Sequence, residues 1–166
     1  MLPIKIMVAY DASSYSRKAL DWILNEPRFQ GCDINVVTVL PTANSFHVYE
    51  SIPVAIADLI ETRKEEINQG LEALKTDCAA KSKLINTHVL EGNAAHALLD
   101  YADAAGIQMI VTGTRGAGGF EGLLLGSVAQ KLVTHAKVPV LVIKYHRKSP
   151  FRLYKRKGAF FAIYLV

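Results

Sequence analysis

The sequence predicts an α/β fold, a doubly wound five-stranded parallel sheet with helices on both faces. Two observations carry this. Segments of strand character alternate with segments of helical period as far as residue 144. Most of the strand segments are apolar almost without interruption, as strands covered on both faces are. Ligands in such folds bind outside the carboxyl ends of the strands, where the strand order reverses. The residues just after each strand are therefore the ones to read for chemistry.

Ile4 to Tyr10 is an apolar run bounded by Pro3 and by Asp11-Ala12-Ser13-Ser14, and reads as a buried strand. Ser13 or Ser14 caps the helix that follows, in which Ala19, Leu20, Ile23 and Leu24 keep helical spacing. Pro27 ends it. Ile34 to Leu40 is a second buried strand, closed by Pro41. A polar loop over residues 42–53 carries Phe46, His47 and Tyr49. A long amphipathic helix runs from about Val54 to about Ala80, with Ile56, Leu59, Ile60, Ile67, Leu71, Leu74 and Cys78 on its apolar stripe. Ile85 to Leu90 alternates, as an edge strand does. Asn93 caps a helix through Ala94, Leu98, Leu99 and Ala102, and Gly106 stops it. Ile107 to Thr112 is the fourth strand, and a glycine-rich loop covers Gly113 to Gly126. Ser127 opens a helix through Val128, Leu132 and Val133. Val138 to Ile143 is the fifth strand, and its Pro139 favours an edge or an end of the sheet.

Of the 166 residues, 51% are hydrophobic and 20% charged, which excludes a disordered chain. The net charge of +4 is unevenly spread. Residues 1–143 carry all 15 acids against 12 Lys and Arg, a net −3, while residues 144–166 carry the other seven cations, a net +7. The body is mildly acidic, so no nucleic-acid partner is expected. Cys32 and Cys78 form no disulfide framework and no zinc spacing. The five histidines (His47, His88, His96, His135, His146) are scattered, with no pair at i, i+4. No apolar run reaches the roughly 20 residues that span a bilayer. Met1 to Tyr10 lacks the pattern of a secretory leader. The expectation is a soluble, cytoplasmic protein.

The strongest chemical signal follows the fourth strand. Gly113-Thr114-Arg115-Gly116, nine residues, then Gly126-Ser127 fit G-x2-G-x9-G-[ST]. Glycines let a backbone approach a ligand with no Cβ in the way. Ser127 stands at a helix N-terminus, where unpaired N–H groups and the helix dipole attract phosphate. Gly118, Gly119 and Gly122 make the middle of the loop pliable. Arg115 reads either as a phosphate or ribose contact or as a solvated loop charge. A P-loop is excluded, because no Lys follows a glycine in that frame, and Glu121 breaks G-x-G-x-x-G. The plain alternative is a connection that binds nothing. Asp11, directly after the first strand, also has two readings: it accepts a purine amine or a ribose hydroxyl, or it caps the first helix.

These segments together resemble the universal stress protein family. The resemblance covers about residues 3–144 and rests on Val8-Ala9-Tyr10-Asp11, on Gly113 to Ser127, and on Lys137-Val138-Pro139-Val140-Leu141-Val142-Ile143. It implies strand order 3-2-1-4-5, with the first and fourth strands at the switch point. The spaced glycine motif resembles that of the ATP-binding subgroup. The resemblance implies that Asp11 contacts adenine and Val39 lines the base pocket. Gly113 and Gly116 would lie along ribose and phosphates, with Gly126, Ser127 and Val128 at the phosphates. Mg²⁺ or Mn²⁺ would come bridged by the phosphates. Ala9-Tyr10-Asp11 departs from the family's usual strand end, and Tyr10 is expected to narrow the base pocket.

The leading expectation is an ATP-binding regulatory protein acting as a dimeric switch on an unknown protein partner. An apolar fifth strand at a sheet edge invites a second copy, and the resemblance implies a homodimer through Val138 to Ile143. Two alternatives stay open: a slow ATPase or autophosphorylating enzyme in the same crevice, and a protein-interaction module that binds no nucleotide. An NAD(P) oxidoreductase ranks below these. Residues 145–166 form a basic then apolar extension with three readings: an added strand or packing on a partner, an adventitious tail, or, least favoured, contact with an anionic membrane surface.

Overall fold

The structure is a computed structural model that describes residues 3–42, 54–116, 125–144, 152–156 and 159–165. Phe46, His47 and Tyr49, the loop glycines Gly118, Gly119 and Gly122, and His146 lie outside the described residues. Strands and helices alternate as β1 (Lys5–Ala9), α1 (Ser14–Asn25), β2 (Asp33–Leu40), α2 (Val54–Ala80) and β3 (Asn86–Glu91). They continue as α3 (Ala94–Ala104), β4 (Met109–Gly113), α4 (Ser127–His135) and β5 (Val140–Lys144). Two more strands follow, β6 (Arg152–Arg156) and β7 (Ala159–Leu165).

The caps explain where the helices begin. Ser13 is extended, at φ −64° and ψ 160°, and its Oγ accepts the Ser16 N–H at 3.2 Å. Asn93 does the same for the His96 N–H. At the far end of α3, Gly106 takes φ +65°, the left-handed turn that lets the Ile107 N–H reach back to the Ala102 carbonyl at 2.9 Å.

β1 pairs in parallel with both β2 and β4, β2 with β3, and β4 with β5, so the first five strands run in the order 3-2-1-4-5. Each strand sends alternate residues to opposite faces. Ile6, Val8 and Tyr10 join Leu20 and Ile23 of α1 and Leu71, Leu74 and Cys78 of α2 in one core. Met7, Val37, Ile110 and Val142 join Leu98 and Ala102 of α3 and Leu132 and Val133 of α4 in the other. Each fully buried aliphatic side chain, Leu132 for example, contributes about 1.5–3 kcal/mol. Leu59 departs from the expected stripe: it is 67% exposed, so α2 buries its second half and not this part of its first.

The outer side of the sheet also differs from expectation. β7 lies parallel to β5, from Val140 opposite Phe161 to Lys144 opposite Leu165. β6 runs antiparallel on the far side of β7, making a seven-stranded sheet in the order β3-β2-β1-β4-β5-β7-β6. Val138 to Ile143 is therefore not an edge, because β5 is paired on both flanks. Of the three readings of the extension, strand addition is the one found. Pro139 lies just before β5, where its missing N–H interrupts no ladder and its carbonyl accepts the Ile110 N–H at 3.0 Å.

Candidate functional site

From β1 the order steps to β2 and β3 on one side and from β4 to β5 on the other, so it reverses between β1 and β4. The carboxyl ends of these two strands open on a cavity of about 490 Å³, a size suited to a small organic ligand. Asp11, Val39, Gly113, Arg115, Gly116, Gly126, Ser127 and Val128 all line it.

Asp11 arrives at the crevice because β1 ends at Ala9 and the chain turns sharply. Tyr10 continues the ladder, its N–H donating to the Val37 carbonyl at 2.9 Å. Ala12 then takes φ +61°, a left-handed conformation that is uncommon for a residue with a Cβ. Asp11 is not the helix cap; Ser13 is. The carboxylate instead ties the turn together, Oδ1 accepting the Ser16 hydroxyl at 2.7 Å and the Ser13 N–H at 3.1 Å.

On the facing strand, Gly113 and Gly116 are bare for different reasons. A Cβ on Gly113 would stand 2.8 Å from the Tyr15 backbone, so that glycine lets α1 pack close over β4. A Cβ on Gly116 would stand 2.6 Å from Oδ2 of Asp11, so this glycine makes room for the Asp11 carboxylate between the two strand ends. The Gly126 N–H donates to the Thr114 carbonyl at 2.7 Å and closes the base of the loop. Gly126 is the N-cap of α4 and offers no side-chain acceptor, so the first N–H groups of that helix point out with the dipole behind them. Ser127, Val128 and Ala129 bring this helix end to the cavity wall.

The remaining wall is apolar. Ala9, Val37 and Val39 share one face of the sheet by strand alternation, and Ala94 and Leu98 of α3 stand across from them. Tyr10 also lines the cavity, and it packs with Ile6 and Val8 in the core under α1 and α2. Burial raises the Tyr10 phenol above its ordinary pKa, against a smaller lowering by Arg17, whose guanidinium carbon stands 5.9 Å from the ring centroid. Arg115 is the cation of the described lining. Its Nη1 donates to the Tyr15 hydroxyl at 3.3 Å, and the guanidinium carbon sits 5.7 Å from the Tyr15 ring centroid. Among the described residues no group of three or more His, Cys, Asp or Glu is placed to hold a metal ion.

Sequence reasoning missed part of the lining. Ala9 and Val37 were legible from alternation, since they share a face with Asp11 and Val39. Ser16 could not be read from the sequence as a partner of Asp11, because that contact depends on the turn at Ala12. Ala94 and Leu98 enter because α3 crosses the same face, which the sequence does not position.

The family model "Universal stress protein family" matches residues 4–144. The universal stress protein YxiE of Bacillus subtilis is 31% identical over 147 residues, which cover 84% of this chain and 98% of the relative. The structure of a universal stress protein from Lactobacillus plantarum superposes with a TM-score of 0.73 at 20% identity, covering 86% of this chain and 98% of that one. A universal stress family protein from Arabidopsis thaliana, solved with AMP bound, superposes with a TM-score of 0.61 at 20% identity, covering 84% of this chain and 90% of that one.

Proposed function

The chain belongs to the universal stress protein family, and from that premise we propose that it binds an adenine nucleotide, ATP, between β1 and β4. The single observation that carries this is the convergence in one cavity of an acceptor carboxylate, an apolar slot, bare glycines and a helix N-terminus. Each matches one part of a nucleotide. The Asp11 carboxylate accepts the amine of the base, and Val37 and Val39 line its face. Gly116 makes room for that carboxylate, and ribose and the first phosphate run on past the backbone toward Gly126. The N–H groups of α4, with the hydroxyl of Ser127, receive the outer phosphates. A Mg²⁺ or Mn²⁺ ion fits as cargo of the phosphates, neutralising them without a protein cage. The AMP-bound relative supports the class of ligand.

Occupancy of this cavity makes the protein a nucleotide-dependent switch read by a protein partner in the cytoplasm. No helix among the described residues is long and apolar enough to cross a membrane.

The test is mass spectrometry of the nucleotide that co-purifies, followed by calorimetric titration of the stripped protein with ATP and Mg²⁺. Binding at micromolar ATP that is lost in Gly116→Val and Gly126→Val supports the proposal. Absence of binding at millimolar ATP overturns it. Phosphate release measured in the same samples separates a switch, with negligible turnover, from a slow ATPase.

A further inference from the structure

Asp11 is not an isolated carboxylate at the end of a strand. Five residues on, Ser16 is only 3% exposed, yet it lines the same cavity. Its hydroxyl donates to Asp11 Oδ1 at 2.7 Å, and its oxygen receives the Asp11 backbone N–H at 3.3 Å. One buried hydroxyl therefore holds both the main chain and the side chain of Asp11. The Ser13 N–H adds a second donor to Oδ1. Ser16 is itself held, its N–H on Ser13 Oγ at 3.2 Å and its first-turn position fixed by the cap of α1.

Two donors on one oxygen set the rotation of a carboxylate, and a donor to a charged acceptor is a strong one. With Oδ1 fixed, Oδ2 is turned toward Gly116, where an added Cβ would meet it at 2.6 Å. The aim of the carboxylate across the crevice is thus decided by Ser16 before any ligand arrives. A side chain ordered in advance loses less freedom on binding than one ordered by the ligand.

We infer that Ser16 is a positioning residue that sets base selectivity, by presenting Asp11 to the exocyclic amine of a purine. The inference rests on the nucleotide reading above. It assigns discrimination at the six position of the ring to a residue that touches Asp11 and not the base. A purine with a carbonyl at that position would set one acceptor against another.

The experiment titrates the full chain with ATP, inosine triphosphate and inorganic tripolyphosphate, in the parent and in Ser16→Ala. The parent is expected to prefer ATP over inosine triphosphate by roughly tenfold or more, the scale of a hydrogen bond to a charged group. In Ser16→Ala that preference should fall roughly tenfold, through weaker ATP binding, with tripolyphosphate affinity unchanged. Ser16→Thr, which keeps the hydroxyl, should retain the preference. Should Ser16→Ala fail to fold, Ser16→Cys, a weaker donor of similar size, is read in the same way.

An unchanged preference in Ser16→Ala overturns the inference and leaves nucleotide binding standing. Equal losses for all three ligands also overturn it, because they mark a general structural role. A parent that binds none of the three overturns the nucleotide reading itself, and the inference with it.

Discussion

The backbone carbonyl of Tyr15 lies 2.8 Å from where a Cβ on Gly113 would stand. The first helix thus rests directly on the last residue of β4, and the obstacle to a side chain is main chain, which cannot swing aside. Gly113→Ala is expected to push α1 away and lower stability by about 1–3 kcal/mol, the usual range for overpacking. Urea denaturation of the variant beside the parent measures it.

Gly116→Ala is expected to behave differently. The atom its Cβ meets is Oδ2 of Asp11, which must turn away at the expense of its bonds from Ser16 and Ser13 while no main chain moves. Stability should fall by about 1–2 kcal/mol, the scale of one or two weakened hydrogen bonds. ATP affinity should drop by roughly tenfold or more, because the carboxylate loses its aim. Calorimetry and urea midpoints on the same preparation separate the two effects.

Arg115 supplies the cation of the cavity wall and is tethered to Tyr15. Arg115→Ala should weaken ATP more than adenosine and should flatten the salt dependence of ATP binding, since one cationic contact to phosphate is removed. Equal losses for both ligands would assign the arginine to shaping the loop instead. Titrations at low and high salt decide.

Stability should fall in alkaline solution. Burial raises the thiols of Cys78 and Cys32 from 9.0, and the phenols of Tyr10 and Tyr101 from 10.0. These groups stay protonated in the folded chain at a pH where the unfolded chain has already released its protons. The unfolded state then gains, so the loss begins near pH 9 and continues as the pH rises through the folded values. The raised ammonium groups of Lys64, Lys81 and Lys137 act in the same direction, but their ion pairs are exposed and weak. Urea midpoints from pH 7 to pH 10.5 test the slope. A midpoint that rises over this range would contradict the assignment.

Deleting residues 145–166 removes β7 and leaves the outer ladder of Val140–Lys144 unpaired. An apolar strand so exposed should pair with a second copy. The full chain is expected to be a monomer and the shortened chain a dimer at micromolar concentration by light scattering. Equal masses for the two would count against a masking role for the hairpin.

The layered architecture was legible because its signals are local and agree with one another. The apolar runs, Ser13 and Asn93 as caps, and Gly106 as a stop each say the same thing at their own positions. The crevice was legible for a topological reason, since residues after β1 and β4 must meet once those strands are neighbours. The other half of the site was not. Ser16 looks like any polar residue in a first helical turn, and only the left-handed step at Ala12 brings Asp11 back onto it. The sheet edge was misread because an apolar strand with a proline at its start fits an outer position as well as an inner one. What occupies its free side is decided by a segment more than a dozen residues further on.

That late partner has a consequence for the order of folding. The ends of β5 and β7 are 21 residues apart, so β5 can join β4 before its outer neighbour is in place. Until the hairpin returns, a naked hydrophobic ribbon faces outward, and at that stage two immature copies can stick to one another.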